Sequence, residues 1–402
     1  MDDILSGKRI VLGVCGSVAA YKAVQFARDL TLAGAHVDVI LTAAAERFVG
    51  AATFQALTGH PVLSSLWNLP EAGVVSHVAL GASAAAVVIA PATANTIARI
   101  AAGLSDDLLT TTLLATRAPV LVAPAMNPLM YTHPATQANL ATLRARGYTV
   151  LEPTDGRMAE HVSGKGRLPE PATLEGELRA LLGRTSGPLR GYRVVVSAGG
   201  TREPIDPVRY VGNRSSGQMG YALAAHARDL GAAVTLVSGP TALVAPAAVT
   251  TVLVETAIEM REALHAATVG ADILIMNAAV ADFRPTTMAE HKLKKQPGTT
   301  GMTLTMVTNP DIIAGFAERT DLFKVGFAAE TEDLLANAQS KLIRKGLDLI
   351  VANDAVASIG QPNIALTLID RDGVTSLERQ PKPEAAAALL TALVARFIRW
   401  KG

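Results

Sequence analysis

The residues best suited to chemistry begin with Gly13-Val14-Cys15-Gly16-Ser17. Gly13 and Gly16 let the backbone come close to an anion, and a helix starting just after them would aim free N–H groups and its positive end at that anion. Such a loop can hold a phosphate, although a tight strand-to-helix turn without a ligand has the same composition. Thr42 stands where a dinucleotide site would carry an acidic side chain for ribose hydroxyls, so a single phosphate is favoured. The Thr42 hydroxyl could bond that phosphate or a ribityl chain, or cap the next helix.

Three more segments of this half are unusual for plain scaffold. Thr93 and Asn95 follow an apolar run and place a hydroxyl and an amide at its carboxyl end. Ser105-Asp106-Asp107 reads as the cap of a helix beginning at Leu108. Asn127 sits in Pro124-Ala125-Met126-Asn127-Pro128, between two prolines that stiffen its loop. A rigid amide suits recognition of a carboxylate.

The second half has its own set. Residues 199–220 read GGTREPIDPVRYVGNRSSGQMG, dense in groups able to bind anions, and no Walker-A pattern occurs anywhere. Ser215-Ser216-Gly217, at the start of an expected helix, is a candidate phosphate cradle. Asp282 is expected to end a buried strand and could hold Mg2+ across phosphates, or cap a helix. Lys292-Leu293-Lys294-Lys295 could close over a triphosphate, or be a solvated face. Lys341 and Lys345 are four apart on an expected helix, a spacing that suits phosphates or solvent alike.

These residues need a scaffold that brings loops to one edge. Residues 8–14 form a short run, apolar from Ile10 on, 18–32 have helical spacing and 36–41 are again strand-like; the plan repeats at 192–198, 218–230 and 233–237. Further strands are expected at 86–90, 119–123, 272–276, 323–327 and 348–352. Alternating strands and helices predict an α/β protein of two doubly wound, mainly parallel-sheet Rossmann-like domains, with ligands at the carboxyl ends of the strands. Gly, Ser, Thr and Pro cluster at 183–189, so domains are expected at 1–189 and 190–402.

Composition narrows the function classes. A chain of 402 residues exceeds what one core usually serves. A formal charge of +1 supplies no field for nucleic acid or an anionic membrane, so small-molecule partners are expected. The opening residues lack the layout of a signal peptide, and the most apolar stretch, 78–103, is broken by Pro91, Asn95 and Arg99. The single cysteine, Cys15, excludes an intramolecular disulfide and a Cys-built zinc site. A cytoplasmic location is expected.

Taken together, GVCGSVAAYK, the Ser76-His77 pair, PATANTIARIAAGLSDDLL and PAMNPLMY resemble the homo-oligomeric flavin-containing cysteine decarboxylase family, in its phosphopantothenoylcysteine decarboxylase branch, over most of residues 8–170. The resemblance implies FMN held by a flavodoxin-like domain, with Gly13, Cys15, Gly16, Ser17, Thr42, Thr93, Asn95, Ser105 and Asp106 around it. It also implies oxidation of the substrate's cysteine side chain, loss of its carboxylate as carbon dioxide, and reduction of the resulting ene-thiol. His77 would be the base, a role that suits an imidazole, and Asn127 would grip the substrate carboxylate. The family's mobile flap carries a proton-donating cysteine; here residues 156–164 have Glu160 in that place, so Glu160 or His161 would supply the proton.

From about Gly191 onward the sequence resembles the bacterial, CTP-using phosphopantothenate-cysteine ligases. This implies activation of the 4'-phosphopantothenate carboxylate as an acyl-cytidylate, pyrophosphate release, and displacement of CMP by the cysteine amine. Asn213 would bind the acyl intermediate, Lys292 would stabilise charge, and Asp282 would serve ribose or Mg2+. Met276, Asn277 and Ala278 would line the base or ribose. Asn309, Pro310, Asp311, Ile312, Phe327, Lys341 and Lys345 would complete the CTP site. The implied whole is a bifunctional enzyme of coenzyme A synthesis, assembled as a homo-oligomer, a dodecamer of trimers linked by dimers. The alternatives are a ligase whose FMN-binding half is impaired and scaffolds the oligomer, motivated by the missing flap cysteine, and a flavin-dependent binding protein without turnover.

Overall fold

In strand β1 (Arg9–Val14) every residue after Arg9 is buried, as a run of Ile, Val, Leu, Gly and Val requires when helices cover both faces of a parallel sheet. This computed structural model describes residues 3–67, 76–157, 163–295, 300–330, 334–354 and 361–402. The contacts fall into two units, Asp2–Ser186 and Gly187–Gly402.

The first unit adds β2 (His36–Leu41), β3 (Ala86–Ala92), β4 (Val120–Pro124) and β5 (Thr149–Val150) in the parallel order β2-β1-β3-β4-β5, which is the flavodoxin-like order. The strand order reverses between β1 and β3, so a crevice opens there at their carboxyl ends. Two apolar layers flank the sheet. One is built around Phe26, Phe54 and Leu178, the other around Ile97, Leu109 and Leu140. Each such large, fully buried side chain contributes about 1.5–3 kcal/mol. Past the sheet, β6 (Thr154–Arg157) and β7 (Ser163–Arg167) form an antiparallel hairpin.

The second unit repeats the plan with β8 (Arg193–Ala198), followed by the short antiparallel pair β9 (Arg202–Pro204) and β10 (Tyr210–Gly212). Its large sheet then takes β11 (Ala233–Ser238), β12 (Thr250–Leu253) and β13 (Ile273–Met276). A second small pair, β14 (Phe283–Pro285) and β15 (Met306–Thr308), precedes β16 (Phe323–Glu330), β17 (Leu349–Asp354), β18 (Asn363–Ile369) and β19 (Val374–Pro381). The sheet order is β12-β11-β8-β13-β16-β17-β18-β19, parallel through β17 and antiparallel for the last two strands.

The architecture is α/β with two mainly parallel, Rossmann-like sheets. Among the departures from the sequence expectations, three bear on the sites and the sheet. The first helix starts at Ala20 rather than residue 18. Asp282 does not end a buried strand, since β13 stops at Met276 and Asp282 lies in the loop before β14. The β18–β19 hairpin has no counterpart among the expected strands. Among the described residues, no helix is long and apolar enough to cross a membrane.

Candidate functional site

In the first unit the turn after β1 leads into the helix Ala20–Leu32, which has no side-chain cap and no acidic residue in its first turn, so its electropositive end is not neutralised locally. Ser17 orders that turn, its Oγ accepting from the Ala19 N–H at 3.2 Å. Gly16 permits the turn after β2 to close on it, because a Cβ there would lie 2.4 Å from the Cβ of Ala44. Thr42 Oγ1 accepts from the Ala45 N–H at 3.3 Å, so its hydroxyl bonds the start of the short helical turn that follows, although the N-cap position itself is Ala44 and carries no side-chain cap. Thr93 caps the helix Ala94–Ala102 by accepting from the Thr96 N–H at 3.4 Å.

Gly16, Ser17, Thr42, Thr93 and Asn95 line one cavity of about 620 Å³ at the carboxyl ends of β1, β2 and β3. Hydroxyls, an exposed amide and an uncapped helix start suit a ligand with a phosphate and a polar-edged ring, the donor set FMN requires. Arg99 and Asp107 also line the cavity; the sequence marks Asp107 only as part of a helix cap and Arg99 only as a break in an apolar stretch. Arg99 donates to Asp107 at 2.8 Å and also to Asp106, and Asp107 caps the next helix through the Thr110 N–H at 2.8 Å. The available signal was a helix ended by Gly103 and restarted by Asp107, which folds the two helix ends together.

Other candidates lie elsewhere. Gly13 packs under Leu109, whose side chain would sit 2.4 Å from an added Cβ. The Cys15 side chain is buried in the apolar layer, not exposed to the cavity; burial pushes its thiol up to about 11, against the opposing hydrogen bonds of Thr96 and Thr93. Ser105 and Asp106 are exposed and do not line the cavity. His77, half-buried on the helix Ser76–Ser83, lines neither this cavity nor its neighbour. Glu160 and His161 lie outside the described residues.

Asn127 caps the helix Pro128–Thr132, its Oδ1 accepting from the Leu129 N–H at 2.9 Å, so the end of the amide that could meet a carboxylate is Nδ2. It lines a second cavity of about 420 Å³ that shares Ser17, Ala125 and Met126 with the first. The β6–β7 hairpin is tied to this loop by the Met126 N–H, which donates to the Gly166 carbonyl at 3.0 Å.

In the second unit the loops after β8 and β13 are laced together. Ser197 Oγ accepts from the N–H groups of Asn277 and Ala278 at 3.1 Å each, the Ala279 N–H donates to Gly199 at 2.8 Å, and the Ala281 N–H donates to Thr201 Oγ1 at 2.9 Å. Asn213 Nδ2 donates to the Val280 carbonyl at 2.9 Å. Asn309 donates its backbone N–H to the Asp282 carbonyl and its Nδ2 to the Ala281 carbonyl, both at 2.8 Å. Met276, Asn277, Ala278, Asn213, Asp282 and Asn309 therefore stand on one connected framework at the carboxyl ends of β8 and β13.

Lys292 is exposed, and its loop is held by Asp206, a residue the sequence reading passed over. The buried Asp206 carboxylate accepts from the N–H groups of Val208, Arg209 and Leu293 at 2.8, 3.0 and 3.0 Å. Burial alone would raise its pKa, but those donors and the Arg209 charge hold it below the usual carboxylate range. Gly217, at φ +75°, starts the helix Gln218–Asp229 after Ser215 has accepted its N–H at 3.3 Å.

Lys341 lies in the last turn of the helix Leu334–Arg344 and donates to the Phe327 carbonyl at 2.9 Å; Lys345, just beyond it, pairs with Asp311 at 2.9 Å. Asp311 is raised by partial burial but held below its ordinary range by Lys345 and Lys341. Both lysines already have protein partners. Pro310 is half-buried beside them. The Ile312 side chain packs with Phe316 in the core, and Phe327 is partly buried against the apolar layer of the other face, so what either offers a ligand is its backbone groups.

Family comparison divides the chain similarly. Residues 2–182 match the Flavoprotein model, and residues 189–397 match the DNA/pantothenate metabolism flavoprotein C-terminal domain. Similar curated proteins are the coenzyme A biosynthesis bifunctional proteins of Vibrio cholerae, 46% identical over 96% of this chain and 98% of that one, and of Bacillus subtilis, 45% identical over 92% of each. The protein of the same name from Mycobacterium tuberculosis is 49% identical over 86% of each chain. A solved C-terminal domain of a coenzyme A biosynthesis bifunctional protein is 40% identical, covers 52% of this chain and 97% of that one, and has a TM-score of 0.45. A PPC decarboxylase mutant complexed with pantothenoylaminoethenethiol is 32% identical, covers 43% and 97%, and has a TM-score of 0.40.

Proposed function

The chain belongs to the coenzyme A biosynthesis bifunctional protein family, and from that premise we propose how its two units divide the chemistry. It is an enzyme of coenzyme A biosynthesis with phosphopantothenoylcysteine decarboxylase and phosphopantothenate-cysteine ligase activities, and it is a flavoprotein. Decarboxylation belongs to residues 1–189 and ligation to 190–402. The carrying observation is the cavity of about 620 Å³ in which Gly16, Ser17, Thr42, Thr93 and Asn95 converge, beside the smaller one that holds Asn127.

FMN would occupy the larger cavity, its phosphate at Ser17 and the helix start, its polar ring edge toward Thr93 and Asn95. Bound there, it supplies two-electron redox chemistry at the substrate's cysteine side chain. Asn127 Nδ2 holds the substrate carboxylate until it leaves as carbon dioxide. His77 takes the thiol proton. One chain brings His77 to neither cavity, and in this reading it acts across an interface of a homo-oligomer, a dodecamer of trimers linked by dimers. Glu160 or His161 returns a proton to the ene-thiol.

In the second unit a phosphopantothenate carboxylate oxygen attacks the α-phosphorus of CTP and pyrophosphate leaves; the cysteine amine then attacks the acyl carbon and CMP leaves. A carboxylate is a poor electrophile until its oxygen becomes a leaving group, which is what the nucleotide provides. Lys292 steadies the charge developing on phosphate, and Asn213 holds the acyl intermediate. Asn309, Lys341 and Lys345 lie toward the nucleotide. Among the described residues no group of three or more His, Cys, Asp or Glu converges on a metal position, but Mg2+ needs only one or two carboxylates besides substrate phosphates, so Asp282 is sufficient to hold it. The reactants are small molecules of the cytoplasm.

The test supplies flavin-loaded protein with phosphopantothenate, cysteine, CTP and Mg2+, and follows pyrophosphate, carbon dioxide and phosphopantetheine together. Appearance of all three supports both halves, and absence of pyrophosphate removes the ligase assignment. Pyrophosphate and carbon dioxide without phosphopantetheine would favour the second reading, a ligase carrying an impaired flavin-binding half. One observation favours that reading: the sole cysteine is locked in the core and cannot replace the flap cysteine.

A further inference from the structure

We propose that the cavity of about 420 Å³ beside Asn127 holds the phosphate of the decarboxylation substrate, with Arg157 and Arg167 as its ligands. This rests on the decarboxylase reading above and adds to it the end of the substrate remote from the chemistry.

Arg157 ends β6 and Arg167 ends β7, yet both reach one cavity. Gly156 allows this. A Cβ on Gly156 would lie 2.8 Å from an Arg167 Nη and 2.9 Å from its Cδ, so the Arg167 side chain lies flat across β6, beside the strand position that carries Arg157. The cavity wall also includes Lys22 but no carboxylate. Lys22 is committed to the scaffold, donating to the Leu168 carbonyl at 3.0 Å and to Glu170 at 2.7 Å, and so positions the segment that follows Arg167. Glu170 approaches Arg167 only to 3.6 Å, beyond the reach of a charge-assisted hydrogen bond.

Two guanidiniums over a wall without carboxylates favour a dianion, and the planar fork of arginine matches phosphate oxygens in pairs. The walls shared with the larger cavity set the direction of the ligand. With its carboxyl end at Asn127, a phosphorylated substrate has one anionic group left to place, its terminal phosphate monoester. FMN carries the same group, so the test must tell the two sources apart.

Flavin-loaded full-length protein is assayed with 4'-phosphopantothenoylcysteine and with pantothenoylcysteine, which lacks the phosphate, and the ratio of their kcat/KM values is compared with that of the Arg157→Gln, Arg167→Gln double variant. The ratio should fall about tenfold or more, mainly through KM for the phosphorylated substrate, with flavin absorbance retained. Arg167→Lys should keep part of the preference. Calorimetric affinity for phosphopantetheine relative to pantetheine should fall in parallel. An unchanged ratio overturns the proposal, and loss of flavin without a change in ratio would give the arginines to the flavin phosphate instead. If the unmodified protein turns over neither substrate, the decarboxylase reading fails and takes the proposal with it; turnover with an unaltered ratio sinks the proposal alone.

Discussion

Asn213 Nδ2 donates to the backbone carbonyl of Val280 at 2.9 Å, joining the glycine-rich segment after β8 to the loop after β13. The same amide therefore has a structural partner in the loop where the acyl intermediate is expected. Asn213→Ala should lower the ligase kcat about tenfold, the scale of one lost positioning hydrogen bond. Carbon dioxide release from supplied phosphopantothenoylcysteine should not change. A parallel fall in both activities would show that Asn213 acts through stability alone.

Asp206 holds the Lys292 loop through the Leu293 N–H, so Asp206→Asn should raise KM for the nucleotide and make residues near 293 more sensitive to limited proteolysis. Its carboxyl is held below the ordinary range in the folded state. The stability it contributes is thus present above the ordinary carboxylate pKa and lost as pH falls through the lowered value. Acid titration of thermal midpoints should show a decline in the unmodified protein that is smaller in the variant; equal declines would count against this role.

Gly16→Ala would place a Cβ 2.4 Å from that of Ala44 and 2.9 Å from its carbonyl carbon, neither of which can swing away. Overpacking of this kind costs about 1–3 kcal/mol. Since both loops border the larger cavity, the variant should also release flavin more readily during gel filtration. Retention of full flavin content would show that the loops separate without disturbing the site.

Cys15, at about 11, stays a neutral thiol at physiological pH. Native protein should resist iodoacetamide at pH 8, and denatured protein should react quickly. Because the folded value lies above the unfolded one, near 9.0, the stabilisation is complete below that and is lost as pH rises toward 11. Thermal midpoints should therefore drop over this interval in the unmodified protein but less in Cys15→Ala, and matching curves would refute the assignment.

Strands such as β1, β3 and β13 are legible in the sequence because burial on both faces demands unbroken apolar runs. The strand β19 is not, since nearly all of Val374–Pro381 is exposed and its pairing with β18 uses backbone groups that leave no side-chain pattern. The same division holds at the sites. Ser17, Thr42, Thr93 and Asn95 follow strand ends and could be found by position. Ser197 and Asp206 act on backbone N–H groups, which sequence does not display, and Arg99 meets Asp107 only because two helix ends fold together. His77 shows a different limit, for a single chain does not bring it to the cavity that its motif suggests.

The N–H groups of Asn277, Ala278, Ala279 and Ala281 all end on Ser197, Gly199 or Thr201. The loop after β13 therefore gives up its conformational entropy when the chain folds, not when a nucleotide arrives. Its contribution to affinity should be nearly free of ordering cost, whereas any ligand-induced closure must come from segments held by fewer bonds, such as the one bearing Lys292. Substitution of Ser197 by alanine would move that entropy loss from folding to binding, and nucleotide affinity would then weaken through an unfavourable binding entropy.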